Sequence, residues 1–346
     1  MCNAMTAPST STVATMQTKL YAGAVLAGFV ALCVVNYLVT AGTGVRFSNT
    51  DIANTHPVYV LPIGWAFSIW GIIYLLEGLF SIYQALPLAF GGLYDERLEP
   101  IRPYVLGVYA SNVAWLFLFG YEAYWVAALV IVLYDYLLFQ VVFKLDVNYL
   151  SSRVPLKTKL LVSAGFSANA SWVTVASLLQ LQVNLLEEGW LASPALTAGE
   201  LVVAIVVACA ATYKYADVPY ALVAAWALGG IIANQAEGST WGCASQICKA
   251  CTPGMDICER NDTSVFAGRP NGFGGLCAGW NSTQPDECFV AKSEEVSGWA
   301  LFGIVAVALA LIAGLAKGCM ARKAEADAET LPTKAILPGD AQNSHI

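Results

Sequence analysis

The chain has 346 residues, 58% of them hydrophobic and 12% charged, with a formal net charge of −7. An ordinary soluble domain carries about 25% charged residues, so this chain cannot cover a folded surface with polar groups and is expected in a lipid bilayer. The acidic balance, without any long Lys/Arg run to neutralise phosphates, excludes nucleic acid as a partner.

Apolar stretches of about 20 residues match the hydrocarbon thickness of a membrane. In chain order they predict helices over 20–40, 64–87, 103–120, 123–144, 157–182, 196–213, 218–236 and 297–319. The fold class is therefore all-α, a polytopic transmembrane helical bundle of about eight helices with a small disulfide-rich extramembrane loop. Residues 1–19 are Ser/Thr/Ala-rich and acid-free and read as a cytoplasmic tail before a signal-anchor helix. The fifth stretch is rich in Ser, with Thr, Asn and Gln. It reads as a helix because small hydroxyl residues suit close helix packing, the alternative being a partly buried re-entrant segment. Residues 320–346 read as a disordered cytoplasmic tail.

The Lys/Arg distribution sets orientation. With both termini in the cytoplasm, Lys19, Arg97, Arg102, Lys144, Arg153, Lys157, Lys159, Lys214, Lys317, Arg322 and Lys323 fall inside, and the short outer loops hold little beyond Arg46. Residues 237–296 are then outside. They contain Cys243, Cys248, Cys251, Cys258, Cys277 and Cys288, and sequons at Asn261 and Asn281. Six cysteines in a short Gly/Pro/Asn-rich segment read as a disulfide framework, which with glycosylation requires an oxidising compartment. A eukaryotic secretory-pathway or plasma membrane is expected. The alternative, Cys248 and Cys251 as half of a zinc site, has no His or second matching pair in the loop, and no metal site is assigned.

No motif for covalent catalysis occurs, and the chain is not expected to be an enzyme. His56 is read as a solvated loop residue, with axial haem ligation as the alternative. Inside the predicted helices, Phe67, Trp70, Tyr74 and Glu77 share one face of the second, and Asn112, Trp115 and Phe119 one face of the third. The fifth divides into a hydroxyl face (Ser163, Ser167, Ser171, Thr174) and a face carrying Asn169, Trp172, Ala176 and Gln180. Aromatic walls with a few polar groups describe a site for a flat, mostly apolar ligand; ordinary packing is the alternative. Glu77 and Asp135 lie within helices, where an ionised carboxylate costs about 2.5–3.5 kcal/mol at mid-membrane. They mark a functional site, or they sit near the interface beside Tyr hydroxyls.

Gly64-Trp65-Ala66-Phe67-Ser68-Ile69-Trp70-Gly71-Ile72-Ile73-Tyr74 resembles the second-helix signature of the TspO/MBR family, the translocator and tryptophan-rich sensory proteins. Asn112-Val113-Ala114-Trp115 and Trp172-Val173-Thr174-Val175-Ala176-Ser177 resemble its third- and fifth-helix motifs, with Gln180 where Asn is usual. Asp217 through Trp226 to Gln235 resembles the added helices of its longer members. The resemblance covers roughly residues 57–236 and marks 20–236 as a seven-helix core. It implies a pocket for porphyrins, sterols or synthetic aromatics, drawn from Trp65, Phe67, Trp70, Tyr74, Asn112, Trp115, Trp172 and Ala176. The function it implies is a membrane receptor or carrier for a tetrapyrrole or sterol-like ligand. The rival is an assembly protein whose Cys-rich outer loop binds a protein partner.

Overall fold

A computed structural model describes residues 15–56, 58–89, 95–146, 149, 155–188, 193–236 and 293–330. The six loop cysteines and both sequons lie outside the described residues. Nine helices longer than one turn occur among them: α1 (Met16–Thr40), α2 (Asn49–Thr55), α3 (Ile69–Ala89), α4 (Arg102–Gly120), α5 (Tyr124–Leu145), α6 (Ala164–Glu187), α7 (Pro194–Tyr215), α8 (Val218–Ala236) and α9 (Glu294–Thr330). Short 3₁₀ turns lead into α3 (Gly64–Ser68) and α4 (Glu96–Ile101), and a π turn (Lys159–Ser163) leads into α6.

Among the described residues, seven helices are long and apolar enough to cross a membrane. Their outer faces are apolar: Ile72, Leu75, Leu79, Ile82 and Leu86 recur at three- and four-residue intervals along α3 and are all exposed. In water that stripe would be an aggregation surface; in acyl chains it is the solvated face. The chain is an integral multi-pass membrane protein.

α6 does not meet the hydropathy of a span, and its place in the bundle explains why. At 24 residues it is about 36 Å long, and every residue from Val162 to Val173 is buried. It packs against α3, α5, α7 and α8, so its Ser, Asn and Gln side chains meet protein instead of lipid. α1 packs on α3 and α4, while α9 packs outside on α7 and α8.

Two features depart from the sequence expectations. α2 was read as loop; Ser48 caps it, its hydroxyl accepting from the Asp51 amide while the Asp51 carboxylate accepts from the Ser48 amide, a reciprocal box that fixes a helix start. The last helix continues to Thr330, well past residue 320. Its final ten residues, rich in Ala with Glu, Lys and Arg, are mostly strong helix formers.

Candidate functional site

Polar side chains on α6 organise the interior. On one side Asn169 Nδ2 donates to Glu77 Oε1 of α3 at 2.7 Å, and Tyr134 Oη of α5 lies against the same amide, 2.7 Å from Nδ2 and 3.0 Å from Oδ1. Asn112 Nδ2 of α4 reaches Tyr134 Oη at 3.1 Å and Tyr74 Oη at 3.4 Å. Glu77 and Asn169 are 0% exposed, Asn112 and Tyr134 1%. Four helices are thus joined by one buried hydrogen-bond chain. Among the described residues Glu77 Oε2 and Asn112 Oδ1 find no hydrogen-bond partner.

The aromatic residues sit beside this chain. Tyr74 stacks on Trp70 with ring centroids 5.3 Å apart. Trp172 of α6 presents its edge to Trp70 at 6.3 Å and to Phe67 at 5.5 Å. Edge-to-face and offset contacts at these separations are the favourable geometries of aromatic pairs. Trp172 is buried, whereas Phe67, Trp70 and Tyr74 are partly accessible. Phe67, Trp70, Tyr74 and Trp172 therefore converge, and Asn112 joins them through Tyr74. Ala176 lies one turn beyond Trp172 on α6 and is partly buried.

Trp115 and Trp65 make their ring contacts elsewhere. Trp115 stacks on Phe119 at 5.0 Å and donates from Nε1 to Gln180 Oε1 at 2.9 Å. Gln180 in turn donates to Asn184 Oδ1 at 2.7 Å. Trp65 is 48% exposed and meets Trp226 edge-on at 4.7 Å. It belongs to the seam between α8 and the 3₁₀ turn before α3, where Trp226 Nε1 donates to the Ala66 carbonyl.

The hydroxyl face of α6 holds its neighbours. Ser167 donates to Asp217 Oδ2 at 2.7 Å, Ser171 to the Tyr220 carbonyl at 2.9 Å, and Thr174 approaches Asp135 Oδ2 and Tyr220 Oη, both at 3.2 Å. Beside Ser171, Thr174 and Tyr220 is a cavity of about 10 Å³, room for roughly one water. Asp217 Oδ1 also accepts from the Tyr220 amide and so caps α8.

His56 is not a solvated loop residue. It is buried at the end of α2, its Nδ1 against the Ile52 carbonyl at 2.8 Å and its Nε2 against Glu187 Oε1 at 2.5 Å. Both ring nitrogens are engaged, so the ring ties α2 to the end of α6. Glu77 does lie near Tyr side chains, but it is wholly enclosed by the bundle and not exposed at its edge. Among the described residues no three His, Cys, Asp or Glu side chains are grouped to hold a metal ion. Tyr134, the centre of the hydrogen-bond chain, escaped the sequence reading. It sits in Leu133-Tyr134-Asp135-Tyr136, where nothing local says which ring turns inward.

A family model described as TSPO-like protein matches residues 22–253. The chain belongs to this TspO/MBR family. Neither the curated proteins nor the solved structures contain a match. The resemblance in the added helices also has a structural role in this TSPO-like chain. Asp217 caps α8, Trp226 fastens its middle to Ala66, and Gln235 Nε2 holds its end to the Tyr59 carbonyl at 2.8 Å.

Proposed function

We propose that this TSPO-like protein is a membrane receptor or carrier that binds a small, flat, hydrophobic ligand, a tetrapyrrole or sterol, without covalent catalysis. The observation that carries the reading is the meeting of Trp70 and Tyr74 from α3 with Trp172 from α6. Ring faces at that junction give a planar ligand dispersion contacts, and the residues fit it in a second respect. Asn112 Oδ1, buried beside Tyr74 and short of a donor, is an acceptor suited to a pyrrole N–H or a sterol hydroxyl.

Orientation belongs to the same proposal. Lys144 and Lys214 lie at the C-terminal ends of α5 and α7, Lys317 lies near the end of the apolar part of α9, and they rest over Tyr104, Tyr215 and Tyr213 at 4.9, 4.6 and 4.8 Å. Lysines anchored on interfacial rings favour the cytoplasmic side. The termini then face the cytoplasm, and residues 237–292 with their cysteines and sequons face an oxidising lumen or exterior.

Tryptophan emission during titration with protoporphyrin IX and with cholesterol, using full-length protein in lipid nanodiscs, tests the ligand reading. Saturable quenching or a saturable spectral shift with one of the two supports it. A response linear in ligand, identical to that of empty nanodiscs, refutes it.

A further inference from the structure

Glu77 is a carboxylate with no basic partner among the described residues, placed near the middle of the α3 span. Its side chain is 0% exposed. α6 crosses so closely that a Cβ on Gly165 would come within 3.0 Å of the Glu77 backbone nitrogen. The only hydrogen bond to the carboxylate among the described residues is the one from Asn169 to Oε1, and Oε2 has none. The titratable side chains that face it are Cys33 on α1, Tyr74 on α3, Tyr109 on α4 and Tyr134 on α5, none of them basic. The π turn packed against α3 carries a single charge, Lys159, whose ammonium donates to the Tyr149 carbonyl at 2.7 Å.

A buried carboxylate in hydrocarbon surroundings is neutralised either by a proton or by a cation. A cation needs several oxygens closing on it, whereas here an amide N–H already occupies one carboxylate oxygen. A proton needs only one of the two oxygens, and Oε2 is available.

We propose that Glu77 is a membrane-embedded proton-binding site, with Asn169, Tyr134 and Asn112 as its positioning residues. Asn169 Nδ2 donates to Glu77 Oε1 and also, at 2.7 Å, to Tyr134 Oη, which accepts from Asn112 Nδ2 as well. The bound proton sits on Oε2 and leaves the carboxyl neutral. When it departs to solvent, the negative charge left on Glu77 pulls on the Asn169 amide, and through it on its partner Tyr134 and on Asn112. The pull reaches Tyr74, which shares Asn112 and stacks on Trp70. Occupancy of the proton site therefore sets the position of the aromatic group. This inference stands whether or not that group binds a ligand.

Infrared spectra of full-length protein in nanodiscs, recorded along a pH series in sodium and in choline salts, test the proposal without any ligand. Wild-type minus Glu77→Gln spectra are expected to show the C=O stretch of a protonated carboxylic acid at neutral pH, unaffected by sodium. Titrating that band away at alkaline pH is expected to shift Trp emission in the wild type and not in Glu77→Gln. Absence of the band at neutral pH overturns the proposal. So does a band that appears only when sodium is withdrawn, which identifies a cation site. Where Glu77→Gln fails to fold, Glu77→Asp keeps an acid in place, and the band is expected to move in frequency; an unmoved carboxylic region counts against Glu77.

Discussion

Asp217 shows what enclosure does to a single carboxyl. It lies between the α7 and α8 spans and is 1% exposed. Burial pushes its carboxyl up to about 6, although the Tyr220 amide and the Ser167 hydroxyl both favour the ion. A folded-state value above the ordinary 3.8 means the group's contribution is complete below that ordinary value and is lost as pH rises through about 6. The wild type is expected to lose up to about 3 kcal/mol over that window. Asp217→Asn keeps an acceptor for the Tyr220 amide and should remove the dependence. Tm measured along a pH series checks this, and an unchanged slope in the variant contradicts it. Asn169→Leu is expected to be costlier, because it strands Glu77 Oε1 and takes from the Tyr134 hydroxyl the acceptor for its proton. A loss of about 2–4 kcal/mol follows for a buried network, read as a lowered Tm. At this scale the sequence announced the groups whose chemistry is local, such as Glu77, whose cost at mid-membrane requires explanation. It could not announce Tyr134 or the His56 pairing, because each depends on which helix lies opposite.

The elements were legible wherever lipid dictates composition. Hydrophobic lengths located the seven apolar spans to within a few residues, since each must bury about 30 Å of helix in hydrocarbon. α6 was legible for another reason: small and hydroxyl residues permit close helix approach. The capping box of α2 was present as Ser48-x-x-Asp51 but stood outside any apolar run, and the π turn before α6 has no sequence signal we recognise. Gly165 is a close approach of α6 to α3. Its would-be Cβ meets backbone at 3.0 Å and Leu76 Cβ at 3.1 Å, and neither can swing aside. Gly165→Ala is expected to push α3 and α6 apart at a cost of about 1–3 kcal/mol. Thermal unfolding checks the magnitude, and a variant as stable as the wild type would show the crossing to be looser than described.

For the whole molecule, the arrangement is an apolar jacket around a polar central helix, with the aromatic group where α6 meets α3. The family motifs pointed to Phe67, Trp70, Tyr74 and Trp172 together with Trp65 and Trp115, but motif order cannot tell which tryptophans share a contact. Their partners differ: Trp65 pairs with Trp226 at a half-exposed seam, and Trp115 joins Gln180. On the proposed topology, glycosidase treatment of protein from a eukaryotic host should raise its gel mobility, and changing Asn261 and Asn281 to Gln should abolish the shift. No shift in a glycosylation-competent host contradicts the orientation.

The different partners of the tryptophans supply the most direct test of the ligand site. Equilibrium binding of protoporphyrin IX or cholesterol, whichever saturates the wild type, is compared in nanodiscs between Trp70→Leu and Trp65→Leu. Both changes remove one indole from the same helix entry. Loss of a ring that stacks on the ligand is expected to cost about 1.4 kcal/mol, roughly tenfold in Kd. Trp70→Leu should therefore weaken binding about tenfold or more, while Trp65→Leu stays within about twofold of the wild type. Equal affinity in wild type and Trp70→Leu, or a loss confined to Trp65→Leu, would contradict the site at the α3–α6 junction.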